Sequence, residues 1–186
     1  MEALKTKTIG KYKIEIFPDD DPQSPREDDN MGKMFCSGKY GYLGEKHNLS
    51  VEEIVSFVKD KQFISLPLFV YDHSGITMNT TGFSCPWDSS HIGYIICDKS
   101  KVRSEYGWGR ITKERADKIR EYLRGEVETY DQYLRGDVYG FRITDTTNDD
   151  EIDSCWGFYG DENCMTEAEG VVNCIIDNEI LDSNYK

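Results

Sequence analysis

Between Thr112 and Leu134 the apolar residues Ala116, Ile119, Leu123, Val127, Tyr130 and Leu134 recur at steps of three and four, one stripe along one side of a long helix. Within it "YLRGEV" at Tyr122 returns as "YLRGDV" at Tyr133, and the 11-residue offset is close to three helical turns, so both copies present the same side. Gly125 falls inside this helix on another face, at a cost of about 1 kcal/mol relative to Ala. Gly136 is the better terminator. A stripe of this length must be buried against something, so the rest of the chain has to supply a partner surface.

That surface reads as strands. "YKIEIF" alternates, with Tyr12, Ile14 and Ile16 on one face, and it ends at Pro18. "MGKMFC" reads as a short strand and "GKYGYLG" as a turn-rich connection. "ISLPLFVYDH" reads as a buried strand, "GITMNTTGF" as its hairpin partner and "HIGYIIC" as a third strand. "DVYGFRITD" and "EIDSCWGFYG" flank "TTNDD" as an antiparallel hairpin. Ser50 with Glu53 is a capping box opening a helix over about 51–60, with Val51, Ile54, Val55 and Val58 on its apolar face. Asp98 can cap a short helix. Thr166 with Glu169 offers a second box, leading into a C-terminal helix with Val172, Ile175 and Ile176 facing inward. Helices and strands follow no βαβ repeat, so the expected class is α+β, a mainly antiparallel sheet with about three to four helices including the long one near 112–135.

The 186 residues fit a single domain spanning 1–186, long enough to bury about 70% of the unfolded surface. No apolar run approaches the roughly 20 residues of a membrane span, and "MEALKTKTIGKYKIEIF" lacks the apolar segment of a secretory signal, so a cytoplasmic location is expected. The six cysteines, Cys36, Cys85, Cys97, Cys155, Cys164 and Cys174, form no C-x-x-C pair or zinc spacing and read as free, mostly buried thiols.

Charge is lopsided. Residues 126–186 hold 3 Lys/Arg against 16 Asp/Glu, which accounts for the entire net charge of −13. Such a segment repels nucleic acid and phospholipid headgroups and steers toward a basic protein surface; a solvated surface that promotes solubility is the competing account. The loop at 18–30, "PDDDPQSPREDDN", combines three prolines with a run of acids. Asp19, Asp20, Asp21, Asp28 and Asp29 could offer oxygen ligands to calcium or magnesium, but the EF-hand pattern is absent. Arg26 and Glu27 can instead pin the loop by an ion pair.

Asp72, His73 and Ser74 stand in a row, the three side chains of a hydrolytic triad. Neighbours on a strand point to opposite faces, so the row fails as a self-contained triad and reads as a strand end turning at Ser74 and Gly75, with Asp72 accepting turn amides. A looser set, His73, Cys85, Asp88 and His91, falls in the hairpin region and could supply a nucleophile with a base or a divalent-metal site. The simpler reading of "FSCPWDSS" is a proline turn anchored by Trp87. "KSKVRSEYGWGRITKERADKIR" places Tyr106 and Trp108 among basic residues, either a base-stacking surface or a solvated helix face. No phosphate-binding loop, dinucleotide fingerprint or H-E-x-x-H zinc motif is present, and no cofactor is expected.

The blocks "SPREDDNMG", "LPLFVYDHSG", "FSCPWDSS", "YLRGEVETYDQYLRGDVYGF" and "DSCWGFYG" resemble a family of small uncharacterised proteins of bacteriophages and other mobile elements, over about residues 12–160. The chain departs from that family at Asp28, where members carry Trp, and before Tyr40, where they carry a His and this chain has Ser-Gly-Lys. The resemblance implies a phage accessory protein in the host bacterial cytoplasm, and such genes often encode inhibitors of host defence. Combined with the charge, it leads to the first expectation: a non-enzymatic, anti-CRISPR-like protein whose acidic surface binds a basic host nuclease or CRISPR effector, through Glu126, Glu128, Asp131, Asp137, Asp149, Asp150, Glu151 and Asp153. The alternatives are a small hydrolase or modifying enzyme using His73, Cys85, Asp88 and His91, and a phage structural or assembly protein.

Overall fold

The computed structural model describes residues 2–85 and 87–184. The early elements are β1 (Lys5–Ile9), β2 (Tyr12–Pro18), β3 (Lys33–Cys36), α1 (Val51–Lys59), β4 (Phe63–Asp72), β5 (Ile76–Asn79) and β6 (Ser89–Asp98). They are followed by α2 (Lys99–Tyr106), α3 (Lys113–Leu134), β7 (Val138–Asp145), β8 (Asp150–Tyr159) and α4 (Asp161–Asn184). The class is α+β, with two four-stranded antiparallel sheets. The sequence reading treats 1–186 as one domain; the structure resolves two compact units, one of residues 1–23 and 136–186, the other of 24–135.

In the first unit the strands run β1-β2-β7-β8. The alternation in β2 sends Tyr12, Ile14 and Ile16 into a core completed by Phe141 and Ile143 of β7 and by Cys164, Ala168 and Val172 of α4, with Ile175 and Ile176 packed beside them. β1, which the sequence reading leaves without an element, forms a tight hairpin with β2 through a turn at Gly10, where φ is +60°. Lysines of this hairpin pair with acids of α4: Lys5 Nζ of β1 lies 2.6 Å from Asp161, Lys7 of β1 2.7 Å from Glu169, and Lys11 of the turn 3.0 Å from Glu179. The helix begins at Asp161, not at the expected box: Thr166 lies inside it and donates its hydroxyl to the carbonyl of Glu162 at 2.9 Å. Gly160, at φ +82° after β8, turns the chain and lets the helix start six residues earlier.

In the second unit the order is β3-β6-β4-β5. The stripe of α3 buries Ile119, Leu123, Val127 and Tyr130 against Met34, Cys36, Ile64, Leu66, Leu68, Val70, Ile95 and Cys97. Thr112 caps α3, Gly125 sits within it with open space around its Cα, and the chain leaves it at Gly136 with φ +70°. Pro67 is tolerated in β4 because β5 pairs only with Phe69–Asp72, so no ladder bond is demanded of Pro67 on that side. The opposite face of the sheet carries α1, whose Phe57 ring meets Phe63 edge-on at 5.1 Å. The Ser50 capping box forms, with the Glu53 carboxylate accepting the Ser50 amide at 2.7 Å and the Ser50 hydroxyl accepting the Glu53 amide at 3.2 Å. Of the expected apolar face of α1, Ile54 is buried but Val51 is exposed, since it occupies the first position past the cap.

Candidate functional site

Arg26 fastens the chain entering the second unit. Ser24 caps a single 3-10 turn at Pro25–Glu27, and the Arg26 guanidinium, nine-tenths buried, pairs with Glu45 at 2.5 Å and Glu126 at 3.3 Å. Glu126 also accepts the amide of Met31 at 2.5 Å and that of Gly32 at 3.2 Å. Asp131 is similarly occupied, accepting the Met78 amide at 2.7 Å and the Thr77 hydroxyl at 2.5 Å, and pairing with Arg135 at 3.0 Å. Two of the eight expected partner residues are thus internal ties. An acidic side chain on the half-buried flank of α3 satisfies main-chain amides that the adjoining segment leaves over.

Glu128 is exposed on the same helix, while the other five expected residues belong to the first unit. There the hairpin of β7 and β8 turns through Asp149, at φ +60°, and the nearly buried Asp145 closes the turn by accepting the Thr147 amide at 2.9 Å. Asp149, Asp150 and Asp153 are exposed and have no cationic partner among the described residues; Glu151 pairs with Arg142 at 3.0 Å. Asp137 precedes β7, where its carboxylate lies against Tyr139 and helps to push up that phenol's pKa, after burial. β8 is an edge strand, exposed along most of its length, with Ile152 and Trp156 standing half clear of the surface. The first unit holds 18 Asp/Glu against 6 Lys/Arg, a net of −12, whereas the second holds 17 against 16, a net of −1. Residues 136–186 alone hold 2 Lys/Arg against 13 Asp/Glu, so the acidic unit draws nearly all of its charge from the last third of the chain.

The row at Asp72 is no triad. The Asp72 carboxylate accepts the Tyr40 hydroxyl at 2.9 Å and faces Lys39 Nζ at 3.4 Å, not the turn amides the sequence suggested. The Tyr40 hydrogen bond, then Lys39, hold its pKa below the ordinary 3.8. Ser74 takes the turn at φ +60°, and His73 donates its amide to the Gly75 carbonyl at 3.1 Å. Of the looser set, three converge: Asp88 Oδ2 lies 3.6 Å from His73 Nδ1 and 3.8 Å from Cys85 Sγ. His91 stands elsewhere, between the rings of Phe69 at 5.2 Å and Tyr94 at 4.8 Å, because the register sets it opposite Phe69. A nucleophilic pair needs the thiol against the imidazole, whereas here both approach the same carboxylate oxygen. No group of three or more His, Cys, Asp or Glu side chains suited to a metal ion occurs among the described residues.

Trp87 does not anchor its turn; it is 90% exposed, and Pro86 lies outside the described residues. Trp108 stacks on Tyr106 at 4.6 Å with the Arg115 guanidinium 4.7 Å from its ring, so this aromatic pair packs within the protein instead of standing out as a base-stacking platform. In the acidic loop Asp29 pairs with Lys101 at 3.0 Å and Asp19 caps the Asp21 amide at 3.1 Å. All six cysteines are free: Cys36, Cys97 and Cys164 are buried, while Cys155 and Cys174 are exposed.

Fold and site together define a two-unit α+β protein with one strongly acidic unit. Comparison with protein-family models, curated proteins and solved structures gives no match. Among the described residues no helix is long and apolar enough to cross a membrane.

Proposed function

We propose that this chain is a binding protein whose acidic first unit occupies the Lys/Arg-lined nucleic-acid cleft of a host defence complex, such as a CRISPR effector or another nuclease, and blocks it. The observation that carries this reading is the exposed β7–β8 hairpin: among the described residues Asp149, Asp150 and Asp153 have no cationic partner, while lysines of the β1–β2 hairpin pair with acids of α4. Beside those carboxylates, Ile152 and Trp156 offer half-exposed apolar anchors of the kind that dominate interface energetics. The resemblance to mobile-element proteins supports a partner in host defence. The hydrolase alternative draws no support from a cluster in which thiol and imidazole share one carboxylate oxygen without meeting.

The test is inhibition of DNA or RNA cleavage by purified effector nucleases across a salt series, with the native chain and a variant carrying Asp149→Asn, Asp150→Asn and Asp153→Asn. Inhibition that weakens with salt and is lost in the variant supports the proposal. Equal inhibition by both proteins removes charge mimicry. Absence of inhibition with every nuclease assigns the acids to keeping the open β8 edge from pairing with other chains.

A further inference from the structure

The outer face of the second sheet is only partly covered by α1. Alternation in β3 buries Met34 and Cys36 against α3 and sends Lys33 and Phe35 to the other side, where the register sets Lys33 beside Ile96. Phe63 projects from β4 on this side, and Phe57 descends from α1. These residues line an open cavity of about 510 Å³ together with Met31, with Asp98 at the cap of α2 and with Ser100, Lys101 and Ser104 along that helix. That volume lies within the usual range for small-molecule sites, and the lining has their usual composition, apolar walls with few polar groups.

The polar groups can be sorted by what already holds them. Asp98 accepts the Ser100 amide at 2.7 Å as the cap of α2. Lys101 donates to the Asn30 carbonyl at 2.7 Å and pairs with Asp29 at 3.0 Å. Lys33 is exposed at the rim and has no partner among the described residues. Phe57 stands 5.1 Å from Phe63 in an edge-on pair and 6.4 Å from Phe35 in a tilted one, leaving half-buried ring surfaces turned to the cavity. A planar ring extends such an arrangement, and a single negative group beside it meets the one unpaired lysine.

We infer that this cavity is a binding site for a small aromatic anion, a planar ring carrying one carboxylate or sulfonate, with the ring among Phe35, Phe57 and Phe63 and the anion on Lys33. The site lies wholly within the nearly neutral second unit, so it is independent of the acidic hairpin.

The probes are anilinonaphthalene sulfonate and its uncharged counterpart N-phenylnaphthylamine, titrated by fluorescence into the native chain, Lys33→Gln and Ser104→Trp, with circular dichroism confirming that each variant is folded. The native chain should bind both probes at one site. Lys33→Gln should weaken the sulfonate about fivefold and leave the neutral probe unchanged, and Ser104→Trp, which places an indole in the cavity mouth, should abolish both. Sulfonate affinity unchanged by Lys33→Gln overturns the inference, as does binding that survives Ser104→Trp or no binding by the native chain. The Lys33→Gln comparison stands alone if Ser104→Trp fails to fold.

Discussion

Arg26 and Glu126, a hundred residues apart in sequence, meet at 3.3 Å with only 10% and 16% of their side chains exposed. The same carboxylate ties down the amides of Met31 and Gly32, so it closes the segment from Pro25 to Gly32 onto α3. Glu126→Ala leaves a buried guanidinium with one fewer anion and two amides without acceptors. Urea unfolding should show a loss of about 2 kcal/mol, whereas Glu128→Ala on the exposed face should change stability by less than about 0.5 kcal/mol.

Gly93 faces the main chain of β3 so closely that a Cβ there would stand 1.9 Å from the Phe35 carbonyl oxygen and 3.0 Å from the Cys36 Cα. Backbone cannot rotate away as a side chain can. Gly93→Ala should separate β3 from β6 and lower the unfolding midpoint in urea, at a cost of about 2 to 3 kcal/mol.

Tyr40 holds Asp72 ionised through its hydroxyl, ahead of Lys39. A carboxyl whose pKa is depressed by folding stabilises the native state above its unfolded pKa, and that contribution disappears as pH falls through the folded value. The stabilising contribution of Asp72 should therefore be complete above about pH 5 and fade in acid below about pH 4. Tyr40→Phe should move the Asp72 carboxyl back up toward its ordinary value, read from its carbon chemical shift in a pH titration.

Burial pushes the thiols of Cys36, Cys97 and Cys164 up to about 12. They should resist iodoacetamide at pH 8 in the native protein, while Cys155 and Cys174, exposed on β8 and α4, should be alkylated first. Peptide mass spectrometry after timed alkylation gives the order directly.

Much of this fold was readable from period alone. The three-and-four spacing placed α3 and its buried stripe, alternation placed β2, β7 and β8, apolar runs placed β4 and β6, and the Ser50 and Asp98 caps marked the starts of α1 and α2. β1 escaped because "KTKTI" is mostly exposed and gains its place only by pairing with β2 and bridging its lysines to α4. The start of α4 was misplaced because a capping-box pattern at Thr166 and Glu169 is equally compatible with a helix interior, and only the turn at Gly160 decides between them. For the site, the acidic bias of the last third was visible, but sequence order cannot show that residues 1–23 return to the same unit as 136–186.

Period, caps and composition are local or additive properties, and the sequence by itself determined them: the class, the long amphipathic helix, the antiparallel hairpins and the net charge of −13. Which carboxylates remain available was decided by the tertiary structure alone. Glu126 and Asp131 carry the same charge as Asp150 and Asp153, but they lie where chain segments distant in sequence present unpaired amides and cations, and a half-buried carboxylate there is held by partners that no local pattern records.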